Sequence, residues 1–443
     1  MSISIGRHFT TRSLLTFAFP SIAMMVFMSL YTIIDGMFVS QFLGSDALSS
    51  VNIVLPIISL FVALGVMLAT GGCAIIAKKM GEDNLLVARQ NLTLFVVVGT
   101  LIGIVLAGIL LVFITPLVKI LGANADLLNY CIKYLRITLL FAPINVLQLL
   151  FLSYFIAASR PGLGFALTVA GGITNMVLDY VFLGILGTGI EGAAIATGLG
   201  QAVPAIAGLL YFAFGKNELR FTKFSIEWNT LLQACANGSS EMVSNLSNAI
   251  ITFLFNILMM RLVGAHGVAA ITIVLYGQFL FNSLYLGFSM GVGPIISYNL
   301  GSKNQKELRH VFRLSTIFVI STSIFIAILS AVSAKPITAM FVDKGSETYT
   351  LASTGFALFS INYFFSGFNI YVSSLFTALS DGKSSAIISF SRTFLCMVIF
   401  LLVLPIFFGV TGVWLAVPVA EVITILLSLY LLVNKNKLFH YFK

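Results

Sequence analysis

Twelve apolar runs, each long enough to cross a lipid bilayer, decide most of what this chain can fold into. Glycines, prolines and charge clusters punctuate them near residues 13–39, 48–77, 91–115, 127–158, 162–184 and 190–214, then near 232–262, 268–298, 311–333, 347–378, 383–408 and 410–434. A bilayer takes about 20 apolar residues in a helix but only about 10 in a barrel strand, so runs of this length read as helices. The expected fold is an all-α polytopic membrane protein with 12 transmembrane helices. Composition agrees: 59% of the 443 residues are hydrophobic and 9% charged, against about 25% charged in soluble domains. The first run follows Arg7 and Arg12 as a signal peptide would. It is longer than a signal h-region and carries Asp35, so it reads as a spanning helix.

The longest polar connection, GKNELRFTKFSIEWN at 215–229, splits the runs into two sets of six. That gives an N-terminal six-helix lobe (1–214), a linker (215–229) and a C-terminal six-helix lobe (230–443). The halves look like copies. Gly44 and Gly264, Gly81 and Gly301, Pro116 and Pro336, Gly162 and Gly382, and Gly192 and Gly412 all stand at one and the same separation in sequence. An even number of spans per half makes the repeats parallel, related by a pseudo-two-fold axis along the membrane normal, with a cavity between them.

The net charge of +9 does not point to nucleic acid, because the bases sit in short loops. With the N-terminus inside, only Lys119, Lys133, Arg136, Arg261, Lys335 and Lys344 fall on outer segments, leaving 18 of the 24 Lys and Arg inside. By the positive-inside rule both termini are cytoplasmic, in a plasma (inner) membrane. Cys73, Cys131, Cys235 and Cys396 are far apart with no CxxC, which leaves them as small buried hydrophobes.

Function is concentrated in the stretch from Asn175 to Thr197. Asp179 lies inside an apolar run, where a carboxylate is costly and marks a functional candidate. Asn175, four residues earlier, shares its helix face. Asp35 lies late in the first run, and Thr197 offers a hydroxyl from the sixth. At 1.5 Å per residue, Asp35, Asp179 and Thr197 lie at one depth, roughly 7–14 Å below the outer surface. Two carboxyls sharing a buried site hold one proton or one small cation between them, because like charges repel. The expected coupling ion is therefore H+ or Na+, with no other cofactor. Pro20, fifteen residues before Asp35, bends its helix and is the candidate hinge. In the second half, Glu241 and Glu421 fall near the midplane and are candidates either for a substrate cavity attracting cations or for hydrogen-bonding residues within the bundle. Arg392, near a helix end, is expected to snorkel. Forty Phe and fourteen Met suit a greasy chamber for flat molecules.

These residues and spacings resemble the multidrug and toxic compound extrusion (MATE) transporters over nearly the whole chain. The resemblance rests on the two six-helix repeats, on Pro20 with Asp35, on Asn175–x3–Asp179 and on Thr197. It also rests on LGSDALSSVNIVLP (43–56) and its partner VGAHGVAAITIVL (263–275). It implies a drug/cation antiporter with V-shaped lobes, in which Asp35, Asn175, Asp179 and Thr197 match the proton or sodium site and the Ala193 carbonyl joins it. Glu241 matches a seventh-helix Glu that serves a second cation site in some branches. The tenth-helix Asp of that pattern is absent, since 347–378 carries only Glu347 at its edge.

The expected function is secondary active efflux of organic cations or amphiphilic drugs in exchange for H+ or Na+, by alternating access and as a monomer. An alternative is a lipid-linked oligosaccharide flippase of a related family, which would want cavity-facing Arg or Lys and usually fourteen spans. An intramembrane enzyme finds no support: there is no HExxH and no GxSxG, and His8, His266, His310 and His440 are expected in loops or tails.

Overall fold

The computed structural model describes residues 4–215 and 217–441; Lys216 and Lys443, two of the bases assigned to the inside, lie outside them. Among the described residues, ten helical stretches are long and apolar enough to span a membrane: α1 (Thr11–Gly44), α2 (Ser49–Gly81), α3 (Leu85–Val112), α4 (Ala125–Ala157), α5 (Pro161–Ile185), α6 (Ile190–Phe214), α7 (Trp228–Leu262), α8 (Ala265–Gly301), α9 (Gln305–Phe341) and Gly382–Phe439. The last covers 58 residues and turns at Gly409, whose φ of 54° leaves the helical region. It therefore counts twice, as α11 (382–408) and α12 (410–439). The run at 347–378 is one more span, α10, interrupted by a 3-10 turn at Ser360–Asn362. That makes twelve.

Glycine does the turning where spans follow without a loop. Gly44 has φ 82° and ψ −174°, a conformation open to a residue without Cβ. The backbone stays helical through Pro20. Caps are polar and local: the Thr10 hydroxyl accepts from Ser13 N–H at the start of α1, and Asn124 does the same for Leu127 at the start of α4.

The apolar core shows how the halves meet. One buried cluster lies within the first half, joining Val39, Tyr134, Leu139, Leu183 and Ala193. Another lies within the second, joining Phe255, Tyr285, Tyr363 and Trp414. A third is shared: Phe9, Phe17 and Leu152 pack with Phe288, Val292 and Tyr371. Near this shared core α2 and α8 cross at backbone distance. A Cβ on Gly81 would collide with the Tyr298 carbonyl oxygen, and one on Gly301 would collide with that of Lys78. The two contacts are related by the same constant separation that links the breaker residues, so the repeat is a symmetry of the packing as well as of the sequence.

Both termini gather at this joined face. The Phe9 N–H donates to Glu307 Oε1 at 2.8 Å, and His8 Nδ1 lies 2.6 Å from Glu307 Oε2. His310 Nε2 is 2.9 Å from the Phe9 carbonyl, which can only accept, so that nitrogen carries the proton. At the other terminus Arg309 donates to the His440 carbonyl, and Lys435 pairs with Asp381 at 2.8 Å. His266 and His310 thus sit in the opening turns of α8 and α9 and not in loops.

Candidate functional site

The first half brings its polar residues together. α5 is helical through Asp179 and then loosens into a π turn at Tyr180–Ile185, a distortion frequent at functional sites. Asp179 is fully buried and Asn175 is 2% exposed. Asp35, on α1, is half-buried. Its carboxyl lies close enough to that of Asp179 for the two charges to act on one another, with Asn175 beside them. Asn175 Nδ2 donates to Thr197 Oγ1 at 3.5 Å, and the Thr197 hydroxyl donates to the Ala193 carbonyl at 3.0 Å. Ala193 thus joins the group through Thr197.

The electrostatics of this cluster are unbalanced. Asp35 Oδ1, Asp179 Oδ1, Asp179 Oδ2 and Asn175 Oδ1 are all buried with no hydrogen-bond donor among the described residues. An unsatisfied buried acceptor costs about 1–3 kcal/mol, more when charged, and two facing carboxylates add repulsion. A proton on one carboxyl, or a small cation among these oxygens, would relieve both costs. Neither demands a protein donor.

Several neighbours escaped the sequence reading. Tyr134 is buried within electrostatic reach of both aspartates, and Tyr31 lies one turn before Asp35. Beside Asn175 and Thr197 a cavity of about 10 Å³ is lined by Tyr31, Gln148, Thr168, Gly171, Gln201 and their neighbours, about the room one water needs. Gln148 Oε1 is itself buried without a donor. The available signal was a glutamine in mid-span at 148 and at 201.

In the second half the acids meet a base. Arg392 does not snorkel: its side chain is 15% exposed and its Nη1 donates to Glu421 Oε1 at 3.2 Å. The Asn369 amide donates to Glu421 Oε2 at 2.7 Å, and the Ser428 hydroxyl donates to Asn369 Oδ1 at 2.9 Å. Glu421 is thus a bonded partner within the bundle. Glu241, half-buried, lies within electrostatic reach of the same guanidinium. The snorkelling expectation failed because helix-end distance says nothing about the register of α11 against α12.

One family model, MatE, matches the chain twice, at residues 20–181 and 242–403. The chain is 22% identical to the multidrug export protein MepA of Staphylococcus haemolyticus (strain JCSC1435), over 96% of this chain and 94% of that protein. Against MepA of Staphylococcus aureus (strain MRSA252) the identity is 22% over 93% and 90%. Among solved structures, an outward-facing multidrug resistance MATE transporter of the MOP superfamily superposes with a TM-score of 0.90 at 21% identity, covering 97% of this chain and 98% of that one.

Proposed function

The chain belongs to the MatE family, and from that premise we propose that it is a multidrug efflux transporter exchanging an organic cation or amphiphilic drug for H+ or Na+. It is a multi-pass membrane transporter and not an enzyme. The reading of the drug side leans on the MepA relatives, described as multidrug export proteins. The reading of the ion side leans on one observation: four buried oxygens of Asp35, Asp179 and Asn175 share one place without a donor.

In this account Asp35 and Asp179 hold the ion, Asn175 and Thr197 position it and Ala193 steadies Thr197. Two lobes, 1–214 and 230–443, rock about the joined face, with both termini cytoplasmic and Pro20 as a bend in α1. Ion binding neutralises the pair and favours one arrangement of the lobes. Drug binding favours the other. A ligand shifts such an equilibrium only by its difference in affinity for the two states. Glu241, which has no ion-pair partner among the described residues and lies within electrostatic reach of Arg392, is the acid left to meet a cationic drug.

The test is ethidium transport into inverted vesicles under separately imposed proton and sodium gradients. Wild-type protein should respond to one gradient, and Asp35→Asn and Asp179→Asn should each lose at least about tenfold of that response, or about 1.4 kcal/mol of coupling. An undiminished response in both variants would remove the pair from the mechanism.

A further inference from the structure

The buried network Asn369–Arg392–Glu421 has no part in the ion site just described, yet the repeat places it at that site's counterpart. Ser159 and Ser380 hold matching left-handed turns, with φ of 59° and 63°, between corresponding helices. Their separation is longer by a single position than that of the breaker glycines, and it pairs Gln148 with Asn369 and Gly171 with Arg392. Past the next turn Gly192 and Gly412 restore the shorter separation, which pairs Gln201 with Glu421. Gln148, Gly171 and Gln201 all line the small polar cavity beside Asn175. Their three partners are instead bonded to one another. Where the first half has a glycine packed against the Gly200 carbonyl at the edge of that one-water cavity, the second has a guanidinium. Where the first has a neutral glutamine, the second has the carboxylate that a guanidinium needs.

The aspartates themselves have apolar counterparts, Phe255 for Asp35 and Ile399 or Phe400 for Asp179. The second half therefore keeps the place but neither of the exchangeable acids. We propose that Arg392 is a tethered cation permanently occupying the C-terminal counterpart of the N-terminal polar cavity, so that only the N-terminal half exchanges a coupling ion. Arg392 sets the ion specificity of its half by exclusion: a small cation finds Glu421 already paired. A guanidinium is suited to this post because it stays charged under all conditions the protein meets. The stretch that carries it, Ser391–Leu395, winds as a π turn.

The claim that one ion is exchanged rests on the proposed coupling role of Asp35 and Asp179; the occupancy of the Glu421 site does not, and it is tested with those acids removed. In full-length Asp35→Asn/Asp179→Asn protein, thermal unfolding in detergent is followed as choline is replaced by about 100 mM sodium or about 10 mM methylguanidinium. This parent should be indifferent to both. Adding Arg392→Met should create a dependence, with a gain of about 3 °C or more from either cation. Adding Glu421→Gln as well should abolish it and give a protein that folds without added cation. If the Arg392→Met protein is recovered only when purified with one of these cations, the result is the same. A parent that already responds, or an Arg392→Met protein that neither cation stabilises or recovers, would overturn the proposal. A purely packing role for Arg392 would lower the transition without any cation dependence.

Discussion

At Asp179 both carboxyl oxygens are buried without a donor among the described residues, and the chemistry of the first half follows from that. Each neighbour contributes in proportion to what it can offer the missing charge. Asp35 supplies the second negative group. Asn175 supplies a carbonyl oxygen while its amide is turned toward Thr197. Thr197 should matter less than the aspartates, since its hydroxyl proton is committed to Ala193 and only a lone pair remains. Thr197→Val should raise the ion concentration for half-maximal transport by about tenfold, the order of one lost hydrogen-bonding or ligand group, while leaving the maximal rate nearly intact. Thr197→Ser should restore it. Titration of transport against proton or sodium concentration reads the difference. The aspartates were legible in the sequence because a charge in an apolar run stands out. Tyr134 and Gln148 were not, because an aromatic or an amide in a span is ordinary until its neighbours are known.

Among the elements, α2 and α8 carry the joint. Their backbones touch through Gly81 and Gly301, and a side chain at either would have to enter a facing carbonyl. Gly81→Val should therefore keep this face from closing. A cysteine introduced near Lys78 should become more reactive to a water-soluble maleimide in that variant than in the wild-type background. Ion pairs at the same face are smaller effects. Asp381 caps the helix that opens α11 and pairs with Lys435. Burial pushes its carboxyl up, but Lys435 and the Ser384 hydroxyl and amide more than offset this and hold it below its usual value. A lowered carboxyl contributes stability above its unfolded value, near 4, and loses it as pH falls through the folded one. Asp381→Asn should cost about 1 kcal/mol at neutral pH, and the gap in thermal transition should close below about pH 4. The spans themselves were legible from run length. The break at Ser360–Asn362 and the two π turns were not, because apolar periodicity survives a local change of winding. Arg392 shows the other limit: its partner Glu421 lies on a different helix, and only packing brings them together.

For the whole molecule, the two repeats share a core at the face that holds the termini, a further cluster carries α7 residues Leu231 and Ala234 into the first half, and each half keeps a core of its own away from these. The constant separation visible among the breaker glycines reappears as reciprocal backbone contacts, so the architecture was largely written in the spacing. What spacing could not convey is the asymmetry between the halves. In one half the buried oxygens of Asp35 and Asp179 have no donor among the described residues, and in the other an arginine meets Glu421; both depend on side chains meeting across helices. A single positive charge is expected to exchange for each transporter molecule. It is counted most directly by adding ethidium to purified protein in weakly buffered solution while following pH and free sodium together. About one cation should leave for each ethidium bound, the reciprocal exchange that linkage requires, and the release should vanish in Asp35→Asn and in Asp179→Asn while ethidium still binds. Release of the same amount from both variants would contradict the account.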